Sequence, residues 1–136
     1  FTGFEGLKTA NEDIIKTLKK GEEWLSLGIG FTHQPKPLEQ YFNKKQAERA
    51  NKGIIHKHII NREYRELYSF RKKLPHTQYR YLKGEYGTPT NIEIYANKIL
   101  FFILSKKNLM AIMIENEGIS QSFREYFYIL WKQSSE

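Results

Sequence analysis

The chain has 136 residues, of which 40% are apolar and 15% aromatic, and this is the size of one domain with a substantial core. It contains no cysteine, which excludes disulfides, thiolate nucleophiles and cysteine-based zinc or iron–sulfur sites. It has neither a membrane-spanning apolar run nor a signal-peptide pattern, so a soluble cytoplasmic protein is expected. Because the first residue is Phe1 rather than methionine, we also expect a piece of a longer protein.

The formal net charge of +7 is concentrated in the middle third of the chain. Residues 36–83 contain 13 Lys or Arg and 4 Glu, a net charge of +9, whereas the segments before and after them each carry −1. A solvated helical face accounts for such clustering, and a nucleic acid or an acidic partner is the alternative. No known nucleic-acid-binding motif accompanies the basic residues, so direct DNA contact by this segment is the secondary interpretation.

The chain begins with a predicted helix, strand and second helix. Thr2 and Glu5 have the spacing of a capping box, and apolar residues then recur at helical intervals until Gly21. Residues 22–30 are short, apolar and glycine-terminated, which predicts a buried strand. A second helix is predicted over residues 37–52, with a proline in its first turn and a glycine after its end.

The middle of the chain predicts a strand, a helix and another strand. The segment IIHKHII, residues 54–60, predicts a second strand in the interior of the sheet. Asn61 is placed to cap a third helix over residues 62–74. That helix would carry one mostly apolar side, formed by Tyr64, Leu67, Tyr68, Arg71 and Leu74. Residues 77–83 alternate strictly between apolar and polar, which predicts a third strand.

The last part of the chain predicts an antiparallel meander followed by a helix. Residues 91–105 and 108–115 are rich in β-formers and contain turn residues at 96–97 and 106–108. Asn116 is placed to cap the final helix. The order α-β-α-β-α-β-β-β-β-α predicts a single α/β domain with a central mixed sheet, parallel in its early strands and flanked by helices on both faces.

Four segments in this order resemble the effector domain of TrmB-type archaeal transcription regulators. They are FTGFEGLKTANEDIIKTLKKGEEWLSLG, YFNKKQAERANKGI, IEIYANKILFFIL and FREYFYILWK, and together they span about residues 2–132. The resemblance implies a fold like half of a phospholipase D, with residues 1–136 forming an effector-binding or dimerisation domain. It also implies that a separate domain before Phe1, a winged helix-turn-helix, binds DNA.

The same resemblance raises the question of catalysis. Phospholipase D relatives use a His-x-Lys-x4-Asp motif, whose histidine attacks phosphorus and whose lysine binds phosphate oxygens. None of the four histidines is followed two residues later by lysine. At the His and Lys positions, the corresponding strand carries Pro89 and Asn91 in one register, or Thr88 and Thr90 in the other. A non-catalytic domain is therefore expected, with a phosphodiesterase or nuclease as the alternative.

A pocket that persists without catalysis would hold a small-molecule effector at the carboxyl ends of the parallel strands. The candidate ligand-binding residues there are Gly28, Gly30, His33, His58, Asn91, Glu93 and Tyr95. Glu93 is the most informative because a buried carboxylate needs a partner, such as Arg80, Lys57, a histidine or a ligand hydroxyl. A solvated or salt-bridged glutamate at the sheet edge is the alternative.

His56 and His58 lie two residues apart on one strand face and suggest a metal site, with Glu63 or Glu66 near them in sequence. A zinc site needs three or four ligands, and the remaining ones are not identifiable. We therefore expect no metal and no cofactor.

A homodimer is expected because half-domains of this fold commonly pair about a two-fold axis. The aromatic residues of the last helix have helical spacing, which favours a role in the core or in dimer packing over sugar stacking. These residues are Phe123, Tyr126, Phe127 and Trp131.

Overall fold

The computed structural model describes residues 1–28, 36–83, 90–105 and 107–136. Its elements in chain order are α1 (Gly3–Thr17), β1 (Glu23–Gly28), α2 (Lys36–Lys52), β2 (Ile55–Asn61), a 3-10 turn (Arg62–Tyr64), α3 (Ser69–Lys72), β3 (Thr77–Leu82), β4 (Thr90–Tyr95), β5 (Lys98–Ser105), β6 (Asn108–Glu115) and α4 (Glu117–Gln133). The six strands form one sheet in the order β3-β2-β1-β4-β5-β6. Strands β1 to β3 are parallel and β4 to β6 are antiparallel, which confirms the predicted mixed sheet.

Helices cover both faces of the sheet, as predicted. The front face, which carries Trp24 and Leu100, packs against α1 and the start of α2. The back face, which carries Leu25 and Ile94, packs against α4 through the fully buried Phe127. Burying a side chain of this size contributes about 1.5–3 kcal/mol, so the α4 contact is a substantial part of the back core.

The prediction of a continuous third helix over residues 62–74 is wrong. The segment contains only the 3-10 turn and the four-residue helix α3, and Tyr68 between them has a left-handed backbone with φ 61°. The Tyr68 ring stacks on Tyr79 at 6.1 Å and lies 5.9 Å from the His58 ring. This aromatic packing against the sheet diverts the chain from a helical path, because tertiary contacts outweigh a weak local helical preference.

The prediction of a capping box at the start of α1 is also wrong. Thr2 occupies the N-cap position, but its side chain makes no capping hydrogen bond. Instead, the backbone of residues 1–2 pairs with β6, where the Ala111 amide donates to the Phe1 carbonyl at 2.9 Å. Helix α1 ends at Thr17, before the predicted stop. The Asn116 cap is confirmed, since its side chain accepts a hydrogen bond from the Ile119 amide at 2.9 Å.

Arg49 of α2 holds together the region where α2, β2 and β3 meet. Its side chain is fully buried and donates to the carbonyls of Ile54 at 2.9 Å, Pro75 at 3.2 Å and His76 at 2.9 Å, and to the Thr77 hydroxyl at 2.6 Å. Burial lowers the pKa of Arg49 to about 10, so the guanidinium stays charged at neutral pH. One side chain therefore fixes the start of two neighbouring parallel strands.

We expect Arg49→Met to destabilise the fold by about 3–5 kcal/mol, because it removes the charge-assisted hydrogen bonds that a fully buried guanidinium donates between α2, β2 and β3. Urea unfolding followed by circular dichroism measures this change. Lys44→Met on the exposed side of the same helix is the matched control and should change stability by less than about 0.5 kcal/mol. Equal effects of the two substitutions would contradict the role of Arg49.

Candidate functional site

A row of polar side chains crosses the centre of the front face. The strand register places Tyr79 beside His58, His58 beside Ser26, and Ser26 beside Glu93, on four adjacent strands. All four residues are buried, and Glu93 is only 7% exposed. Such a row is unusual for a sheet centre, where apolar side chains normally predominate.

Glu93 is held by two hydrogen bonds from β1. The Trp24 indole N–H donates to Glu93 Oε2 at 2.8 Å, and the Ser26 hydroxyl donates to the same oxygen. Burial raises the pKa of Glu93 to about 7, although the bonds from Ser26 and Trp24 favour the carboxylate and oppose this shift. Glu93 therefore exchanges its proton close to neutral pH.

The alternative of a solvated or salt-bridged edge glutamate is wrong, because Glu93 lies on β4, between β1 and β5, in the interior of the sheet. Lys57 and Arg80, two partners considered from the sequence, lie on the back face. Lys57 forms an ion pair with Glu23 at 2.6 Å, and Arg80 donates to the Ser134 hydroxyl at 2.9 Å.

The two histidines of β2 lie on the front face, beside Glu93 and Ser26. His56 Nε2 is 2.7 Å from Ser26 Oγ, and the His56 and His58 ring centroids are 5.5 Å apart. Burial lowers the pKa of His56 well below its usual value and that of His58 to about 3, so both rings are neutral at pH 7. Within the described ranges, no group of three His, Asp or Glu side chains is arranged to hold a metal ion.

The order of groups around Ser26 differs from that of a serine hydrolase. In a Ser-His-Asp triad the histidine lies between the serine and the acid, accepts the serine proton and is oriented by the carboxylate. Here Ser26 lies between His56 and Glu93 and donates its own proton to the carboxylate. This arrangement positions Glu93 and His56 relative to each other in an order that differs from the triad.

Three members of the polar row, Ser26, His58 and Glu93, line a cavity of about 40 Å³ on the front face. Phe42 and Gln46 of α2, Tyr68 and Arg71 of the 62–74 segment, and Phe102 of β5 also line it. A volume of this size holds about three water molecules or the polar head of a small ligand. The cavity is therefore lined by both polar and aromatic side chains.

Three of the predicted candidates, His58, Asn91 and Glu93, line this cavity. Gly28 lies beside them at the carboxyl end of β1. A Cβ atom on Gly28 would approach Asn91 Oδ1 to 2.9 Å and His58 Nε2 to 3.1 Å, so the glycine allows these two side chains to converge.

The other candidates lie elsewhere. Tyr95 is fully buried one row away from Glu93, and its hydroxyl donates to Asp13 Oδ2 at 2.7 Å rather than to the cavity. Gly30 and His33 lie outside the described residues.

Sequence reasoning missed Arg71, Tyr68, Ser26 and Trp24 as members of the site. Arg71 is 6% exposed, and its Nε donates to Asn43 Oδ1 at 2.6 Å. One signal was present in the sequence, because Arg71 occupied the mostly apolar side of the predicted third helix, where a charged residue needs a special reason.

Several cations of the 36–83 segment are buried or form ion pairs within the chain. Arg49 and Arg71 are buried, Lys57 pairs with Glu23, and Lys45 pairs with Glu48 at 3.1 Å. The exposed cations of this segment are Lys36, Lys44, Lys52, Arg62, Arg65, Lys73 and Lys83. The excess of positive charge is therefore only partly available to an acidic partner.

No helix within the described ranges combines the length and the apolar character needed to cross a bilayer.

Comparison with known proteins gives a match of fold. No protein-family model matches the sequence, and no curated protein matches it. Among solved structures, the chain is similar to TrmBL2, described as an archaeal chromatin protein that shows a novel mode of DNA binding, with a TM-score of 0.67 and 12% identity. The match covers 99% of this chain and 52% of TrmBL2, so the chain spans about half the length of that protein. At this identity the likeness establishes a shared fold.

We expect Glu93→Gln to change how stability depends on pH. The folded protein keeps the Glu93 proton up to about pH 7, whereas an unfolded glutamate loses it near its usual value of 4.5. Folding therefore takes up a proton between these values, and the stability contributed by Glu93 falls as pH rises through this window. The stability of the parent relative to Glu93→Gln should fall by about 3 kcal/mol between about pH 5 and pH 8.

Chemical denaturation of both proteins across this range measures the difference. The comparison isolates Glu93, because the buried histidines affect the parent and the variant equally. A stability difference that does not depend on pH would show that Glu93 titrates at an ordinary pKa.

Proposed function

We propose that this chain is a non-catalytic sensor domain of a TrmB-like, DNA-associated regulator, and that its front cavity binds a small effector molecule. The observation that supports this most directly is the cavity lining, where buried polar atoms of Asn11, His58 and Arg71 have no hydrogen-bond partner among the described residues. Each buried polar atom that lacks a partner costs about 1–3 kcal/mol. Such a cost is a reason to expect a ligand that supplies the missing partners.

The regulatory context of the proposal comes from the fold shared with TrmBL2, which is described as a DNA-binding chromatin protein. Because the chain spans about half of that protein, we assign DNA contact to a part of the full regulator other than the front cavity. The internal use of Arg49, Arg71, Lys45 and Lys57 supports this division of roles.

The absence of the phospholipase D motif from the sequence supports a non-catalytic role. Asn91, which lines the cavity, occupies the lysine position of the motif in one register, and neither nucleophile position, Thr88 or Pro89, carries a histidine. His56 is already bonded to Ser26, and His58 lies on β2. Phosphodiesterase or nuclease activity is the alternative, and turnover of a phosphodiester substrate by the purified chain would support it instead.

An exposed apolar stripe supports dimerisation as part of the same function. Ile119, Tyr126 and Ile129 lie on α4 and are 40%, 58% and 55% exposed, and Ile112 of β6 is 46% exposed. A second copy of the chain would remove this apolar surface from water. Light scattering reports the result, since a homodimer has twice the monomer mass of 16.2 kDa.

A thermal-shift screen of small metabolites tests the sensing role. We expect at least one class of compound to raise the melting temperature by several degrees when present at about 100 times its Kd. Asn91→Leu, which removes a polar lining group, should abolish the shift. Asn108→Leu at an exposed position of β6 is the matched control and should retain it.

The product of the complete reading frame should then change its affinity for duplex DNA when the same compound is added. A uniformly flat screen, or hits that shift Asn91→Leu as much as the parent, would contradict the sensing role. Salt-dependent binding of duplex DNA by the 136-residue chain itself would instead assign the exposed cations of residues 36–83 to direct nucleic-acid contact.

A further inference from the structure

We infer that the ligand of the front cavity is a small oxyanion, such as the carboxylate of a short organic acid, and that the Arg71 guanidinium is its anchor. This inference rests on the proposed sensing function and specifies the chemical class of the effector.

The unpartnered polar atoms around the cavity are mainly hydrogen-bond donors. Among the described residues that line it, the buried nitrogens without a hydrogen-bond partner are Arg71 Nη2, Asn11 Nδ2 and the Nδ1 atoms of His56 and His58. Because the Ser26 hydroxyl donates to Glu93, the neutral His56 ring donates from Nε2 to Ser26, and its Nδ1 is an acceptor. Arginine and amide nitrogens can only donate, and the neutral His58 ring donates from Nδ1 in one of its two tautomers. An occupant that satisfies this set must therefore supply acceptors.

Arg71 is placed to bind an anion. Its Nε is held by Asn43 at 2.6 Å, and its guanidinium lies 4.6 Å from the centre of the Tyr68 ring, which fixes the orientation of the group. Arg71 Nη2 has no partner within full hydrogen-bond geometry, and it lies close enough to Tyr79 for Arg71 to oppose the rise in the Tyr79 pKa that burial causes.

A buried arginine without a counter-ion carries a large desolvation cost. No carboxylate of the described residues forms an ion pair with Arg71. An oxyanion in the cavity supplies the missing charge and the missing acceptor together, and arginine suits the planar geometry of a carboxylate.

Glu93 makes this binding sensitive to pH. An ionised Glu93 in the same cavity repels an anion, whereas the protonated form does not. Since the pKa of Glu93 is raised to about 7, a fall in pH through neutrality removes this repulsion. Binding of the anion should therefore take up a proton and become tighter in mild acid.

The other titratable groups that face Glu93 keep their charge over this range. Burial lowers the pKa of His56 well below its usual value and that of His58 to about 3, so both remain neutral. Burial raises the pKa of Tyr68 and Tyr95, which also remain neutral. Arginine keeps its positive charge throughout.

The size of the cavity limits the ligand. Its volume of about 40 Å³ is too small to enclose a nucleotide or a sugar ring, but it accommodates a carboxylate group. There is no room at the Gly28 end for an added methyl, which would lie 2.9 Å from Asn91 Oδ1 and 3.1 Å from His58 Nε2.

Thermal shift and calorimetry on the 136-residue chain test the inference with formate, acetate and inorganic phosphate, and with acetamide as the neutral analogue of acetate. We expect at least one oxyanion to bind and acetamide not to bind. The affinity for formate or acetate, which stay ionised over this range, should be about fivefold to tenfold higher at about pH 6 than at about pH 8. A response to formate or acetate indicates an organic acid, and a response to phosphate alone indicates an inorganic effector.

Four variants sharpen the test. Arg71→Gln should weaken binding by at least about 30-fold, because it removes a charge-assisted hydrogen bond. Lys73→Gln removes an exposed cation two residues away and should leave binding unchanged. Gly28→Ala should weaken binding without removing a charge, and Glu93→Gln should bind with an affinity that does not depend on pH.

Equal binding of acetate and acetamide, or unchanged binding in a folded Arg71→Gln variant, would overturn the oxyanion assignment. If Arg71→Gln does not fold, Gly28→Ala is tested in its place. An affinity for the oxyanion that is unchanged in Gly28→Ala then overturns the assignment. Binding of neutral compounds alone, lost in Gly28→Ala, would reject the oxyanion and leave the sensing role standing. Binding of no compound of either kind would reject both.

Discussion

The burial of the Glu93 carboxyl group determines the organisation of the front face. Because β4 lies between β1 and β5, a front-facing side chain at its centre is removed from bulk solvent, and Glu93 is only 7% exposed. Its oxygen therefore needs donors on the neighbouring strand, which Trp24 and Ser26 provide. Ser26 in turn positions His56, and the resulting polar row is covered by α2 and the 62–74 segment. A single acidic residue thus explains why polar groups occupy the sheet centre.

Much of the fold could be predicted from local patterns. Alternation marked β3, turn residues separated the meander strands, and Asn116 marked the start of α4. The rule that crevices form at the carboxyl ends of parallel strands predicted a common site for His58, Asn91 and Glu93, and all three line the cavity. The shared fold with TrmBL2 agrees with the resemblance seen in the sequence at the level of architecture.

The rest of the site depended on long-range packing. The left-handed backbone at Tyr68, which brings Arg71 into the cavity, results from aromatic contacts with residues distant in sequence. The sequence also suggested the wrong partners for Glu93, Arg80 and Lys57 instead of Trp24 and Ser26, for a related reason. Alternation tells which residues of one strand share a face. The register between strands decides whether residues of different strands do, and it places Lys57 and Arg80 on the face opposite to Glu93.

The central claim is that the orphaned donors of the front cavity form a binding site. Side-chain nitrogen NMR of the labelled chain during an acetate titration tests it most directly, at mildly acidic pH and at constant ionic strength with chloride. The account predicts saturable shifts at the Arg71 guanidinium and the His58 ring, with smaller changes at the exposed Arg62 and Arg65. Changes of equal size at all arginines, or no saturable change at Arg71, would contradict it.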